Sequence, residues 1–179
     1  MKISTRNLSI AAVTAAAYAS VTILLAPISY GALQFRLSEV LCVLPFFVPA
    51  SSLGLFVGCA IANFMSAAGP IDVVFGSLAT LLAALCTARF GRVFRENGEM
   101  PSMGASVLGV MMPVIFNGPI IGAVLAYAFA PPEAFWQSLV LFGSQVAIGE
   151  AGVMLLLGLP VLRLAPRIKS LREFCGNTN

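Results

Sequence analysis

Long apolar runs that are almost free of charge dominate this sequence, and they constrain its fold more than any other feature. Of the 179 residues, 59% are hydrophobic and 9% are charged, whereas soluble domains carry about 25% charged residues. Such a chain has too little polar surface to cover a soluble globule. The composition therefore predicts an all-α integral membrane protein whose single domain lies in the lipid bilayer.

The apolar runs divide the chain into six predicted membrane-spanning helices within one domain, residues 1–179. A spanning helix needs roughly 20 apolar residues, and polar turns and prolines mark the boundaries between runs. The fifth span is expected to be interrupted at Pro113 and again at Asn117-Gly118-Pro119. The predicted spans cover residues 8–28, 37–49, 53–68, 72–88, 103–129 and 135–162.

Almost all basic residues lie at the ends of predicted helices that share one side of the membrane. Six spans place both termini on the same side of the membrane, and by the positive-inside rule the basic side is cytoplasmic. The protein is thus expected in the cell (plasma) membrane with both termini in the cytoplasm. Arg36 is the exception, at an outer boundary with Glu39, Asp72 and Glu133. The basic residues on the inner side are Lys2, Arg6, Arg89, Arg92, Arg95, Arg163, Arg167, Lys169 and Arg172.

Polar and charged side chains also occur at or within the predicted spans. Charged groups at mid-bilayer cost about 2.5–3.5 kcal/mol on insertion scales, so those present usually face a cavity or another helix. Glu150 lies about fourteen residues into the sixth span, which at 1.5 Å per residue is roughly 21 Å deep. We interpret the polar set as the wall of a binding site for a small polar solute. Its members are Arg36, Glu39, Asn63, Asp72, Asn117, Gln145 and Glu150.

Structural interpretations of the same residues stay open at this level. Asparagine side chains commonly tie membrane helices together, and Glu150 could form an interhelical hydrogen bond. Asp72 is placed to cap the fourth helix. Arg36 and Glu39 could form a surface salt bridge at i,i+3 spacing. A binding site is favoured because the polar residues form a series from the outer boundary to mid-membrane.

The first half of the first span is rich in small residues at four-residue spacing. Such small-xxx-small pairs let another helix approach closely. This face is either ordinary packing inside the bundle or a docking surface for a separate subunit. The residues concerned are Ala11, Ala12, Ala15, Ala16 and Ala19.

Several activities are excluded by what the sequence lacks. There is no histidine, which rules out His-ligated metals and His general bases. The four cysteines show no metal-ligand spacing, and the three in apolar runs are interpreted as small buried residues. The HExxH, GxSxG and GxxxxGK[ST] motifs are missing. The chain is therefore expected to be no enzyme, to need no cofactor or metal, and, with a net charge of only +3, to bind no nucleic acid.

Motifs between residues 30 and 84 resemble those of the QueT family. The stretch Gln34-Phe35-Arg36-Leu37-Ser38-Glu39 and the segments 54–63 and 69–83 carry the resemblance, and looser similarity at 113–118 and 148–150 extends it over nearly the whole chain. Such proteins are substrate-binding S components of energy-coupling-factor (ECF) transporters for queuosine precursors. The resemblance implies a compact six-helix bundle that joins a transmembrane T subunit and two cytoplasmic ATPases. It also implies that the alanine face of the first helix docks on the T subunit, and that the S component topples to carry substrate inward.

The implied ligand is a 7-deazaguanine such as preQ1, preQ0 or queuine. Its N1–H and 2-amino group can both donate to one carboxylate, for which we choose Glu150. Its O6 can accept a hydrogen bond from Asn117, Asn63 or Gln145. A cationic aminomethyl group would pair with Glu39 or Asp72. Phe35 and Phe75 are candidates for stacking on the ring. Gln34 and Arg36, from the segment 30–39 at the predicted outer boundary, complete the expected substrate-binding set.

Other functions remain possible from the sequence. The chain could be an ion-coupled small-molecule transporter that uses Glu150 as its proton-binding carboxyl. It could also be an S component for another vitamin or nucleobase. A membrane scaffold without a ligand would leave the polar series unexplained.

Overall fold

A computed structural model of the protein describes residues 4–30 and 34–167. Within these ranges the chain is helical and contains no strand. The first half consists of α1 (Thr5–Leu24), α2 (Ala26–Ser29), a 3-10 helix (Leu37–Val43) that runs into α3 (Leu44–Phe47), α4 (Ser51–Asn63) and α5 (Pro70–Phe90).

The second half begins with a short surface helix and ends with a helix of mixed geometry. α6 (Arg92–Asn97) is followed by α7 (Met103–Val110) and α8 (Met112–Phe129). After a short 3-10 turn (Pro132–Ala134), the chain forms α9 (Phe135–Val153), a π-helical turn (Met154–Gly158), α10 (Leu159–Leu164) and a last 3-10 turn (Ala165–Arg167).

Four of the predicted spans coincide with helices that are long and apolar enough to cross a membrane. These are Thr5–Leu24, Pro70–Phe90, Met103–Phe129 and Pro132–Arg167. The spans predicted at 37–49 and 53–68 form shorter apolar helices, Leu37–Phe47 and Ser51–Asn63. At 1.5 Å per residue, α4 extends about 20 Å, against about 30 Å of hydrocarbon. By length alone these two segments do not reach across the bilayer.

The fifth predicted span is interrupted at one place and not at two. α7 ends at Val110 and α8 begins at Met112, so the helix breaks beside Pro113 as predicted. The break predicted at Asn117-Gly118-Pro119 is wrong, because α8 continues through Pro119 to Phe129. A proline inside a helix removes one backbone hydrogen bond, and neighbouring membrane helices can accommodate that loss. Asn117 therefore lies on a continuous helix.

The small residues of α1 fall on two different faces. Ala11, Ala15 and Ala19 are buried, and α4 packs against them through two glycines. A Cβ added to Gly58 would lie 2.7 Å from the carbonyl oxygen of Ala15, and one added to Gly54 would overlap the carbonyl oxygen of Ala11. This part of the predicted docking face is thus occupied by the protein's own α4. The face left exposed carries Ala12 and Ala16.

One end of the bundle is closed by α6. Arg95 donates to the carbonyl oxygens of Phe46 at 2.6 Å and Ala88 at 2.8 Å, near the C-terminal ends of α3 and α5. Phe94 packs edge-on against Phe47 with ring centroids 5.5 Å apart. The segment 37–47 is therefore anchored at its C-terminal end by α6, while its N-terminal end carries the buried polar residues Ser38 and Glu39.

Candidate binding site

Arg36 lies where the 3-10 helix begins, and it is buried. Its Nη2 is 3.9 Å from Oδ2 of Asp72, and both side chains are almost inaccessible. The guanidinium carbon lies 5.5 Å from the ring centroid of Tyr30, within range of a cation–π contact. Tyr30 in turn donates its hydroxyl to the carbonyl oxygen of Ala62 at 2.5 Å. These contacts connect Tyr30 and Arg36 to the C-terminus of α4 and the N-terminus of α5.

Glu39 is fully buried, and both of its carboxylate oxygens are occupied by protein donors. Tyr18 of α1 donates to Oε1, and the thiol of Cys42 lies 3.0 Å from Oε2. The surface salt bridge considered between Arg36 and Glu39 is wrong, because both residues are buried and Arg36 pairs with Asp72. Glu39 therefore fastens the 3-10 helix to α1.

Asn63 and Asp72 meet around Gly76. Nδ2 of Asn63 donates to the backbone carbonyl of Asp72 at 2.9 Å and to the sulfur of Cys59 at 3.5 Å. A Cβ on Gly76 would lie 2.5 Å from Nδ2 of Asn63 and 2.7 Å from Oδ1 of Asp72. The interhelical contact expected of Asn63 is therefore present, yet Oδ1 of Asn63 and Oδ1 of Asp72 have no hydrogen-bond partner.

Asn117 and Glu150 form a second polar pair, between α8 and α9. Nδ2 of Asn117 donates to Oε1 of Glu150, which leaves Oδ1 of Asn117 and Oε2 of Glu150 without partners. Glycines bring these helices together, since a Cβ on Gly122 would lie 2.6 Å from Cα of Gly143. The pair presents two neighbouring acceptors.

The two pairs and Arg36 belong to one buried cluster. Glu150 interacts electrostatically with Glu39 and with Arg36. A buried polar atom without a partner costs about 1–3 kcal/mol, so these unpaired atoms suit a ligand that supplies complementary groups. They are Nε and Nη2 of Arg36, Oδ1 of Asn63, Oδ1 of Asp72, Oδ1 of Asn117 and Oε2 of Glu150.

The other residues predicted for the site contribute none of these unpaired atoms. Gln145 is half-buried on α9. Gln34 is buried in a left-handed backbone conformation. Phe35 is 39% exposed, and its ring lies 3.6 Å from the Cβ position of Gly152. Phe75 lies on the exposed side of α5, whereas Asp72 and Gly76 lie on its buried side.

Phe75 instead lines an apolar groove of about 630 Å³ on the outer surface of the bundle. The groove is formed by side chains of α5, α8 and the start of α9, among them Ile71, Pro119 and Tyr127. Its lining is almost entirely apolar, which fits contact with lipid chains better than contact with a polar solute.

Sequence reasoning missed Tyr18 and Cys42 as members of the cluster. Tyr18 lies among the small residues of the first predicted span, and Cys42 is one of the cysteines that the sequence predicts to be small buried residues. The available signal was that a buried tyrosine hydroxyl usually finds a hydrogen-bond partner.

The helical fold and the buried cluster define a multi-pass membrane protein with an internal polar site. Residues 8–167 match the QueT transporter family, and the chain belongs to this family. It is 36% identical over 105 residues to the "Queuosine precursor transporter QueT" of Lactococcus lactis subsp. cremoris (strain MG1363), an alignment covering 55% of this chain and 62% of the relative. The chain thus spans less than two thirds of that relative's length. No solved structure matches.

Proposed function

We propose that this protein is the substrate-binding S component of an ECF-type importer and captures a 7-deazaguanine queuosine precursor from outside the cell. The observation that carries the proposal is the pair of unpartnered buried acceptors, Oε2 of Glu150 and Oδ1 of Asn117. A guanine-type base offers N1–H and its 2-amino group side by side, so two neighbouring acceptors match this edge. Membership of the QueT transporter family supports the same ligand class.

The hydrogen bonds within the cluster change our assignment of the residue that donates a hydrogen bond to O6 of the base. The amide nitrogens of Asn63 and Asn117 already donate to protein acceptors. Nε and Nη2 of Arg36 have no hydrogen-bond partner, and Nη2 lies 3.9 Å from Oδ2 of Asp72, so we assign O6 to Nε of Arg36. Of the two aromatic candidates, Phe35 remains our proposed stacking partner for the ring of the base.

Delivery requires an energy source outside this chain. The sequence has no nucleotide-binding loop, so we propose that a T subunit and two cytoplasmic ATPases drive the toppling of the S component. We propose that the chain crosses the membrane six times, with Leu37–Phe47 and Ser51–Asn63 as its two short crossings, and that both termini and Arg89, Arg92 and Arg95 lie in the cytoplasm, as the positive-inside rule favours.

Docking on the T subunit is assigned to the exposed face of α1. Because α4 covers Ala11 and Ala15, the small residues free for a second protein are Ala12 and Ala16. Their spacing allows close helix approach.

Ala16→Leu is expected to leave ligand binding unchanged and to abolish most uptake in cells that express the complete transporter. The added side chain would hold the T-subunit helix away from α1 without touching the cluster. The matched control is Ala128→Leu, at an exposed alanine of α8, which should take up substrate normally. Normal uptake by Ala16→Leu would refute the assignment of this face.

Ligand-induced thermal stabilisation of the purified protein tests the function as a whole. At 100 times the dissociation constant, a ligand stabilises by about 2.7 kcal/mol, so a queuosine precursor should raise the melting temperature clearly. Vitamins and common nucleobases should not. Stabilisation by another vitamin alone would identify a different S component, and uptake by this chain alone, driven by a pH gradient, would identify an ion-coupled transporter.

A further inference from the structure

Arg36 and Glu39 lie three residues apart at the start of the 3-10 helix, yet they form no salt bridge with each other. Residues at i and i+3 lie one above the other in 3-10 geometry, and the guanidinium of Arg36 interacts electrostatically with the carboxylate of Glu39. Arg36 instead pairs with Asp72, at 3.9 Å. Two opposite charges are therefore held apart in a buried cluster, where their attraction is strong.

Tyr18 and Cys42 together occupy the carboxylate of Glu39. The hydroxyl of Tyr18 donates to Oε1, and the thiol of Cys42 lies 3.0 Å from Oε2. Tyr18 is 0% exposed, and its Cβ lies 3.0 Å from the point where a Cβ of Gly58 would lie, so α4 packs closely on this residue. With a donor on each oxygen, the carboxylate is held in place, and Nε of Arg36 stays without a partner.

We propose that Tyr18 is a positioning residue of the binding site, whose hydrogen bond holds the carboxylate of Glu39 away from Arg36 and so keeps Nε of Arg36 available to the ligand. This inference rests on the proposed function, in which Nε donates to O6 of the base. Without the phenol hydroxyl, Oε1 of Glu39 would be a buried carboxylate oxygen that has lost its donor, which is costly. The carboxylate would turn to the guanidinium of Arg36, because charge-assisted hydrogen bonds are the strong ones.

Two further bonds keep the 3-10 helix in place without the hydroxyl of Tyr18. One turn along α1, the hydroxyl groups of Thr22 and Ser38 are hydrogen-bonded at 2.6 Å. The backbone N–H of Glu39 donates to the carbonyl oxygen of Arg36 at 3.0 Å. The 3-10 helix is therefore expected to stay on α1 when the hydroxyl is removed, and only the direction of the Glu39 carboxylate should change.

Two ligands that differ only at position 6 of the base test the proposal: 7-deazaguanine and its 6-thio analogue. Both keep N1–H and the 2-amino group for Glu150 and Asn117, but sulfur is a weaker hydrogen-bond acceptor than a carbonyl oxygen. The wild type should bind the oxygen compound about tenfold tighter. Equal dissociation constants would overturn the assignment of O6 to Arg36, and the role of Tyr18 with it, but not the ligand class. Binding of neither compound would overturn the proposed function itself.

Tyr18→Phe should bind 7-deazaguanine about tenfold more weakly than the wild type does and lose the preference for oxygen over sulfur. Its affinity for the 6-thio analogue should change little, so the ratio of the two dissociation constants is the readout. Tyr127→Phe removes the same hydroxyl from a tyrosine that is 70% exposed, and it should keep the wild-type ratio. A wild-type ratio in Tyr18→Phe would refute the proposal and leave the proposed function standing.

Adding Glu39→Gln to Tyr18→Phe distinguishes positioning from packing. A glutamine has no charge to attract the guanidinium, so the double variant should regain most of the preference for the oxygen compound. A packing defect around residue 18 would not be repaired by a change at residue 39, and a double variant without the preference would contradict the proposal. If Tyr18→Phe does not fold, Cys42→Ala frees Oε2 of Glu39 instead and should lose the same preference. A wild-type ratio in that variant would overturn the proposal.

Discussion

Glu150→Gln is expected to reduce the affinity for 7-deazaguanines by about 100-fold or more, the largest loss of any conservative change in the cluster. Oε1 of Glu150 accepts from Asn117, and Oε2 faces the ligand in our proposal. A glutamine has one oxygen for these two positions. In either orientation its amide nitrogen meets a donor, from Asn117 or from the base, so one hydrogen bond becomes a repulsion.

The measurement is direct binding of a radiolabelled 7-deazaguanine to the purified variant, with thermal unfolding recorded on the same preparation. Glu133→Gln carries the same chemical change at an exposed position and should bind like the wild type. A folded Glu150→Gln that keeps wild-type affinity would contradict the base-edge assignment.

Most of the buried cluster could be predicted from the sequence, with Tyr18 and Cys42 as the members that could not. Six of the seven polar residues chosen at or within predicted spans are buried in the structure, and only Gln145 is half-exposed. The physical reason is the high cost of charged and amide groups in hydrocarbon. That cost makes a polar residue in an apolar run a reliable marker of the protein interior.

The different partners of Glu39 and Asp72 could not be predicted. Both are carboxylates at predicted outer boundaries, and sequence spacing treats them alike. The difference comes from the 3-10 geometry of residues 37–43, whose three residues per turn align positions i and i+3. Cys42 thereby reaches Glu39, and Tyr18 reaches it from α1. Residues at i,i+3 spacing are neighbours in an α-helix as well, so spacing alone does not show that Cys42 and Tyr18, rather than Arg36, contact Glu39.

The predicted roles of Phe75 and of the α1 alanines show a related difficulty. Helices that are apolar nearly all round give no periodic signal for the face that packs against protein. Phe75 and Gly76 are adjacent in sequence but lie about 100° apart around α5. One therefore faces the surface groove and the other the cluster. The same ambiguity left open which alanines of α1 pack against α4, and only the position of Gly58 resolves it for Ala15.

The contact between α8 and α9 leads to the second large effect, because it places Asn117 beside Glu150. A Cβ at Gly122 would already lie 2.6 Å from Cα of Gly143, so Gly122→Leu must separate the helices. Overpacking costs about 1–3 kcal/mol or more, and we expect melting to fall by about 5 °C or more.

Ligand binding should fall with the stability of Gly122→Leu, because both acceptors of the base edge depend on this helix contact. Gly104→Leu introduces the same side chain where a Cβ has no neighbour within 4 Å, so its melting temperature and affinity should stay near the wild-type values. Melting and binding are measured together for both variants. If Gly122→Leu bound ligand normally, the pair of Asn117 and Glu150 would not need the glycine contact, and the base edge would have to be held by other residues.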